Sequence, residues 1–129
     1  MRILLDTHVL IWLVGQPTRL DAMTRRHLED EDNEILFSAA SIWEIAIKVS
    51  LGRNDFIFRP EQVMSQARVI GLIEAPVTAA LASQVASLPM HHRDPFDRLI
   101  VAQAIAEPAH LYTADPQLPA YSELVHLIA

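Results

Sequence analysis

The sequence predicts an α/β fold of three layers, with a central, mostly parallel sheet of four to five short strands flanked by helices. Two observations predict it. Short apolar stretches alternate with helical patterns along the chain, joined by short connections, and this order of elements puts strands side by side in the same direction. The stretches that read as strands are also nearly free of charge, as strands covered on both faces must be.

The elements follow in order. Arg2 to Leu5 is a short buried strand that emerges at Asp6, and Thr7 to Val14 is a short helix stopped by Gly15. Thr18 to Glu31 reads as an amphipathic helix with Leu20, Met23, His27 and Leu28 facing inward and Arg25, Arg26, Glu29 and Asp30 outward. Glu34 to Phe37 is a second strand. Ser38 to Ser41 then turns the chain into a helix that runs to Leu51 and stops at Gly52. Asn54 to Pro60 is a loop carrying Phe56 and Phe58, and Pro60 to Ile70 is a helix with Gly71 at its end. Leu72 to Val77 is a third strand and Thr78 to Leu88 a helix. Pro95 opens another helix, with Asp94 as its N-cap and Asp97 at its third position. Beyond Arg98 its only polar residue before Glu107 is Gln103, so this helix is expected deep in the fold. Ala109 to Thr113 is a strand ending near Asp115, and Leu124 to Ile128 is the last.

Length and composition narrow the function classes. The 129 residues fit a single domain spanning 1–129, with one core. At 51% hydrophobic and 20% charged, the chain is globular, and its apolar excess suggests a covered subunit or partner interface. There is no cysteine, which removes disulfide and thiolate-metal chemistry and fits a reducing cytoplasm. The longest apolar run, Val9 to Val14, is too short to cross a bilayer, and no secretory signal pattern opens the chain, so no membrane partner is expected. The net charge of −6 speaks against a general nucleic-acid-binding module unless several acids serve as ligands to cations.

Those acids have a pattern. In a parallel sheet, ligands bind beyond the carboxyl ends of the strands. Asp6 and Asp115 follow strands at opposite ends of the sequence, Glu44 falls in the first turn of the helix after the second strand, and Asp94 and Asp97 open the helix before the fourth. Each acid taken singly has a plain reading: Ser41-Ile42-Trp43-Glu44 matches a capping box, and Asp6, Asp94 and Asp115 suit caps or turns. Taken together they point elsewhere. Acids delivered to one rim from several segments repel unless a cation joins them. An oxygen-only set suits Mg²⁺ or Mn²⁺, and such a site supports hydrolysis of a phosphodiester.

The residues Leu5-Asp6-Thr7-His8-Val9-Leu10-Ile11-Trp12, Ser38-Ala39-Ala40-Ser41-Ile42-Trp43-Glu44-Ile45 with Lys48, His92-Arg93-Asp94-Pro95-Phe96-Asp97-Arg98-Leu99-Ile100-Val101-Ala102-Gln103-Ala104 and Leu111-Tyr112-Thr113-Ala114-Asp115 together resemble a PIN-domain ribonuclease of the VapC toxin type. The resemblance runs in order from the first strand to the last. It implies a PIN-like fold and a magnesium-dependent endoribonuclease that is the toxin of a type II toxin-antitoxin pair, restrained by a small VapB-like antitoxin. It carries the family's catalytic, metal-binding quartet onto Asp6, Glu44, Asp97 and Asp115, with Asp94 as an additional candidate ligand and Thr113 as a supporting hydroxyl. It also implies a homodimer.

Other residues carry weaker signals. His91 and His92 are adjacent and read as loop, and a carboxylate site for magnesium needs no imidazole. His8 reads as packing on its helix, with substrate contact as the alternative. Trp12 and Trp43 read as core or interface. Of the ten basic residues nine are arginine, and Arg53, Arg93 and Arg98 fall near the expected rim, with solvated surface as the default reading. Two rival functions differ in class. A catalytically silent PIN-like interaction module retains the fold without the chemistry. A magnesium-binding phosphoacceptor receiver needs an acidic pair after the first strand and a lysine after a late one, whereas Thr7 follows Asp6 and Lys48 is the sole lysine.

Overall fold

The computed structural model describes residues 1–52 and 58–128. Among these, five strands form one sheet in the order β3-β2-β1-β4-β5, every neighbouring pair parallel: β1 Arg2–Leu5, β2 Glu34–Ser38, β3 Ile73–Ala75, β4 His110–Thr113 and β5 Val125–Leu127. Six α-helices connect them: α1 Thr7–Gly15, α2 Ala22–Glu29, α3 Ala39–Ser50, α4 Pro60–Val69, α5 Ala79–Gln84 and α6 Pro95–Ala106. The predicted α/β class, parallel sheet and helix order all hold.

The two-residue period of the strands builds two cores. Ile3 and Leu5 of β1, Ile35 and Phe37 of β2 and Tyr112 of β4 face α1 and α4. Leu4, Leu36 and Leu111, one residue out of step, face Ile100, Val101 and Ala104 of α6. On β1, β2 and β4 every residue after the first is buried and none is charged, whereas Glu74 in the edge strand β3 is exposed. From β1 the chain moves outward to β2 and β3 and then returns to the other side as β4 and β5. The strand order thus reverses between β1 and β4, where an open parallel sheet forms a crevice at its carboxyl edge.

Several local expectations are corrected. The segment 18–31 is not one helix: Pro17–Arg19 form a 3₁₀ turn and α2 starts only at Ala22, because Asp21 caps it by accepting from the Thr24 N–H at 3.1 Å. That register buries Thr24 and leaves Met23 exposed. Gly15 does not follow a helix but is the last residue of α1, and a Cβ there would meet the Phe58 ring at 2.4 Å, so its hydrogen admits that ring. Gly52 and Gly71 do follow helices, with φ of 73° and 90°. The 3₁₀ turns Val85–Ser87 and Leu118–Tyr121 were not foreseen. Of the loop expected over Asn54 to Pro60, the part through residue 57 lies outside the described residues, as does Arg53.

Candidate active site

Asp6 is the first residue beyond β1, and its backbone N–H still donates to the Tyr112 carbonyl at 3.0 Å, extending the central ladder by one step. Its side chain is buried and does two jobs. Oδ1 accepts from the Val9 N–H at 2.9 Å and caps α1, while Oδ2 accepts from the Thr113 hydroxyl and, at 3.3 Å, from the Ala114 N–H. The carboxylate thus ties the ends of β1 and β4 together across the crevice. Burial pushes its pKa up, and the hydrogen bond from Thr113 is the largest of the effects that pull it back. Thr113 Oγ1 also accepts from the Asp115 N–H at 3.0 Å, so this hydroxyl bridges Asp6 and the backbone of Asp115.

Glu44 is the clearest departure from the plain reading of the sequence. α3 begins at Ala39, and its cap is Ser38, whose hydroxyl accepts from the Ala40 N–H at 3.0 Å. Glu44 is therefore the sixth helical residue, in the second turn, too far along to close a capping box with Ser41. It is 3% exposed, and its oxygens accept from the Thr7 hydroxyl at 2.7 Å and from Lys48 Nζ at 2.8 Å. Thr7 and Ser41, 2.9 Å apart through their hydroxyls, complete its surroundings. The spacing of Glu44 and Lys48, one helical turn apart, was the available signal for that pair.

At the opening of α6, Asp94 is the N-cap, its Oδ1 accepting from the N–H groups of Phe96 at 2.8 Å and Asp97 at 3.4 Å. Asp97 has a different electrostatic position. Desolvation first, then Asp94, Glu44 and Asp6, push its pKa up to about 7, against a smaller opposing effect of His92. Asp115 stands beyond β4 with Oδ1 accepting from the Gln117 N–H at 2.9 Å and Oδ2 2.8 Å from His92 Nε2.

Asp6, Glu44, Asp97 and Asp115 thus line one cleft, with Asp94, His8, Trp12, Lys48 and His92 also on its walls. Ligand-capable atoms of His92, Asp97 and Asp115 lie within 4.8 Å of one another. Sequence reasoning set His92 aside; its place beside Asp115 depends on the fold of a loop, and no periodicity reports that. Arg98 is not a solvated rim residue either. It is buried, with Nη1 donating to the Pro89 carbonyl at 3.0 Å and to Tyr121 Oη at 3.1 Å, and Nη2 to the Val85 carbonyl at 3.1 Å. Trp43 is 60% exposed, its ring edge-on to Phe96 at 5.1 Å, which leaves the interface reading and removes the core one.

The arrangement can hold a hard divalent cation. Its donors are carboxylate oxygens, and Asp97, besides being desolvated, feels the negative charge of Asp94, Glu44 and Asp6 even though Lys48 pairs with Glu44. The chain is similar to known proteins over nearly its whole length. The model of the PIN domain family matches residues 3–124. The chain is 31% identical to Ribonuclease VapC22 of Mycobacterium tuberculosis over 121 residues, covering 90% of this chain and 88% of that protein. A crystal structure of VapBC2 from Rickettsia felis bound to a DNA fragment from their promoter superposes with a TM-score of 0.72 over the whole of both chains, at 20% identity. A match across nearly the full sequence, on a sheet whose reversal point gathers the acids, makes this chain a member of the PIN-domain family, within its VapC group.

Proposed function

We propose that the protein is a magnesium- or manganese-dependent endoribonuclease, the toxin of a toxin-antitoxin pair, acting in the cytoplasm as a single-domain subunit of a homodimer. One observation carries the reading: carboxylates from four separate segments meet in one cleft, where burial first and then Asp94, Glu44 and Asp6 push the pKa of Asp97 up to about 7. Caps and turns account for Asp94, but they do not account for a buried Glu44 in the middle of a helix or for an Asp97 held among other acids.

Asp6, Glu44, Asp97 and Asp115 are the residues that would hold the cation, with Asp94 at the edge of the set. When bound, a divalent cation supplies Lewis acidity toward a water and toward a phosphodiester oxygen. The chain's own groups do the rest. Thr113 and Ala114 aim Asp6, Thr7 and Lys48 aim Glu44, and Gln117 and His92 aim Asp115, so the oxygens are oriented before ligand arrives. Asp97 holds a proton near neutral pH and must release it to serve as a ligand, so cation affinity rises with pH through neutrality.

The partner reading draws on the relatives. The Rickettsia structure is of VapBC2 bound to promoter DNA, and exposed Trp43 beside Phe96, the residues immediately before Glu44 and Asp97, offers an apolar platform next to the acids. A small VapB-like antitoxin is expected to lay an apolar helix there and to direct an arginine at the carboxylates. The silent-module alternative separates cleanly. RNA cleaved with Mg²⁺ or Mn²⁺, and left intact in excess chelator and by Asp97→Asn protein, supports the nuclease. Cleavage undiminished by chelator, or no cleavage of any RNA by the wild type with either ion, rejects it.

A further inference from the structure

We propose that His92 is a positioning residue for Asp115: carrying its proton on Nε2, it fixes the orientation of that carboxylate from outside the ligand set and does not itself coordinate the cation. The inference rests on the nuclease reading of the cleft, and it comes from hydrogen-bond geometry. The Asp94 N–H donates to His92 Nδ1 at 2.9 Å, so that nitrogen spends its lone pair as an acceptor. The ring proton is then on Nε2. Nε2 lies 2.8 Å from Asp115 Oδ2 and 3.6 Å from Asp97 Oδ2, within hydrogen-bond reach of Asp115 alone.

The ring is held by a frame that nothing in the nuclease reading requires. The His92 N–H donates to Tyr121 Oη at 2.8 Å, the same oxygen accepts from Arg98 Nη1 at 3.1 Å, and Arg98 is anchored on the carbonyls of Pro89 and Val85. A buried guanidinium in α6 thereby fixes a tyrosine in the turn after Asp115 and, through it, the loop that carries His92. With Gln117 on Oδ1 and His92 on Oδ2, both oxygens of Asp115 are pinned, and each keeps a lone pair for a ligand. The closeness of His92 to Asp97 and Asp115 also suits a three-ligand set. For that role the imidazole would have to give up either the Asp94 N–H or its own proton, so the observed bonds favour the outer position.

The test uses the full-length protein and Mn²⁺ as the probe. Affinity is measured by titration, and the ligand set by electron spin-echo modulation of bound Mn²⁺. His92→Phe keeps a ring and loses the donor, whereas His92→Gln restores an N–H near the place of Nε2. We expect Mn²⁺ binding about 10-fold or more weaker in His92→Phe and within about threefold of wild type in His92→Gln, as for outer partners of metal ligands. We also expect no imidazole nitrogen coupling to Mn²⁺ in the wild type. Nitrogen coupling makes His92 a ligand and overturns the proposal, as does unchanged binding in His92→Phe. Equal weakening in both variants with an equal fall in Tm makes its role merely structural and overturns it too. RNA cleavage by the same samples separates the two readings. A wild type that binds Mn²⁺ in this pattern yet cuts no RNA removes the nuclease and leaves His92 as assigned. Cleavage with a His92→Phe protein that binds Mn²⁺ like wild type does the reverse, and a wild type that binds no Mn²⁺ removes both.

Discussion

Asp94 and Asp97 share the first turn of α6 and divide its tasks between them. Asparagine caps a helix about as well as aspartate, so Asp94→Asn is expected to keep the fold and most of the RNA cleavage, while Asp97→Asn abolishes cleavage. Activity and melting curves on the pair check this, and equal loss in both would make Asp94 a ligand. The pH dependence belongs to Asp97. Its pKa is raised from 3.8 to about 7 on folding, so the folded state holds a proton that the unfolded chain has lost between those values. Stability is then greatest below pH 3.8 as far as this group is concerned, and it falls as pH rises toward about 7, by an amount whose ceiling is on the order of 4 kcal/mol. Melting of metal-free protein from pH 4.5 to 7.5 should show the decline, and Asp97→Asn should flatten it and raise Tm at neutral pH. An unchanged slope in the variant would refute the assignment. The sequence showed these two acids because a cap and a third helical position are local facts. It placed Glu44 in the first turn of its helix instead of the second, since the choice between Ser38 and Ser41 as the cap depends on where β2 ends. It passed over His92, whose partner lies 23 residues away.

α1 ends on a glycine because another element needs the space. Gly15 receives the edge of the Phe58 ring, with a Cβ position only 2.4 Å from it, so Gly15→Ala should displace that ring and lower stability by about 1–2 kcal/mol despite alanine's better helix propensity. A melting measurement decides it, and a rise in Tm would mean that the ring moves aside freely. Helix and strand types were legible along most of the chain, because uncharged short runs and capped amphipathic ones differ in period. Gly15 resembled a stop signal since glycine after an apolar helix usually is one, and only a ring delivered from some 43 residues onward gives it another reason. The same limit explains Met23. Once Asp21 becomes the cap, the inward face of α2 rotates onto Thr24 and Leu28, and the methionine turns out to solvent.

The order of the sheet decides between rivals that composition leaves open. Receiver domains of the flavodoxin type use the order 2-1-3-4-5, whereas here β1 is central in β3-β2-β1-β4-β5, and the acids gather where it meets β4. The sequence foretold parallel strands but not this order, since alternation of elements is common to both. Sedimentation equilibrium at micromolar concentration is expected to report a homodimer, in keeping with large apolar side chains left at the surface, among them Leu51 at 70%, Val69 at 75% and Met90 at 72% exposed. A strictly monomeric protein would refute the dimer and leave the chemistry standing. The tie between Asp6 and Thr113 closes a loop of 107 residues, and this gives the protein a timetable. During synthesis β1 is made first but has no β4 to pair with until nearly the whole sequence has been translated, an interval of several seconds at ~5–20 residues per second. A nascent chain short of Asp115 carries three quarters of the acid set and no cleft. On the proposed function, the cleft would be assembled only as the last strands are made, and no active site would exist over most of the synthesis.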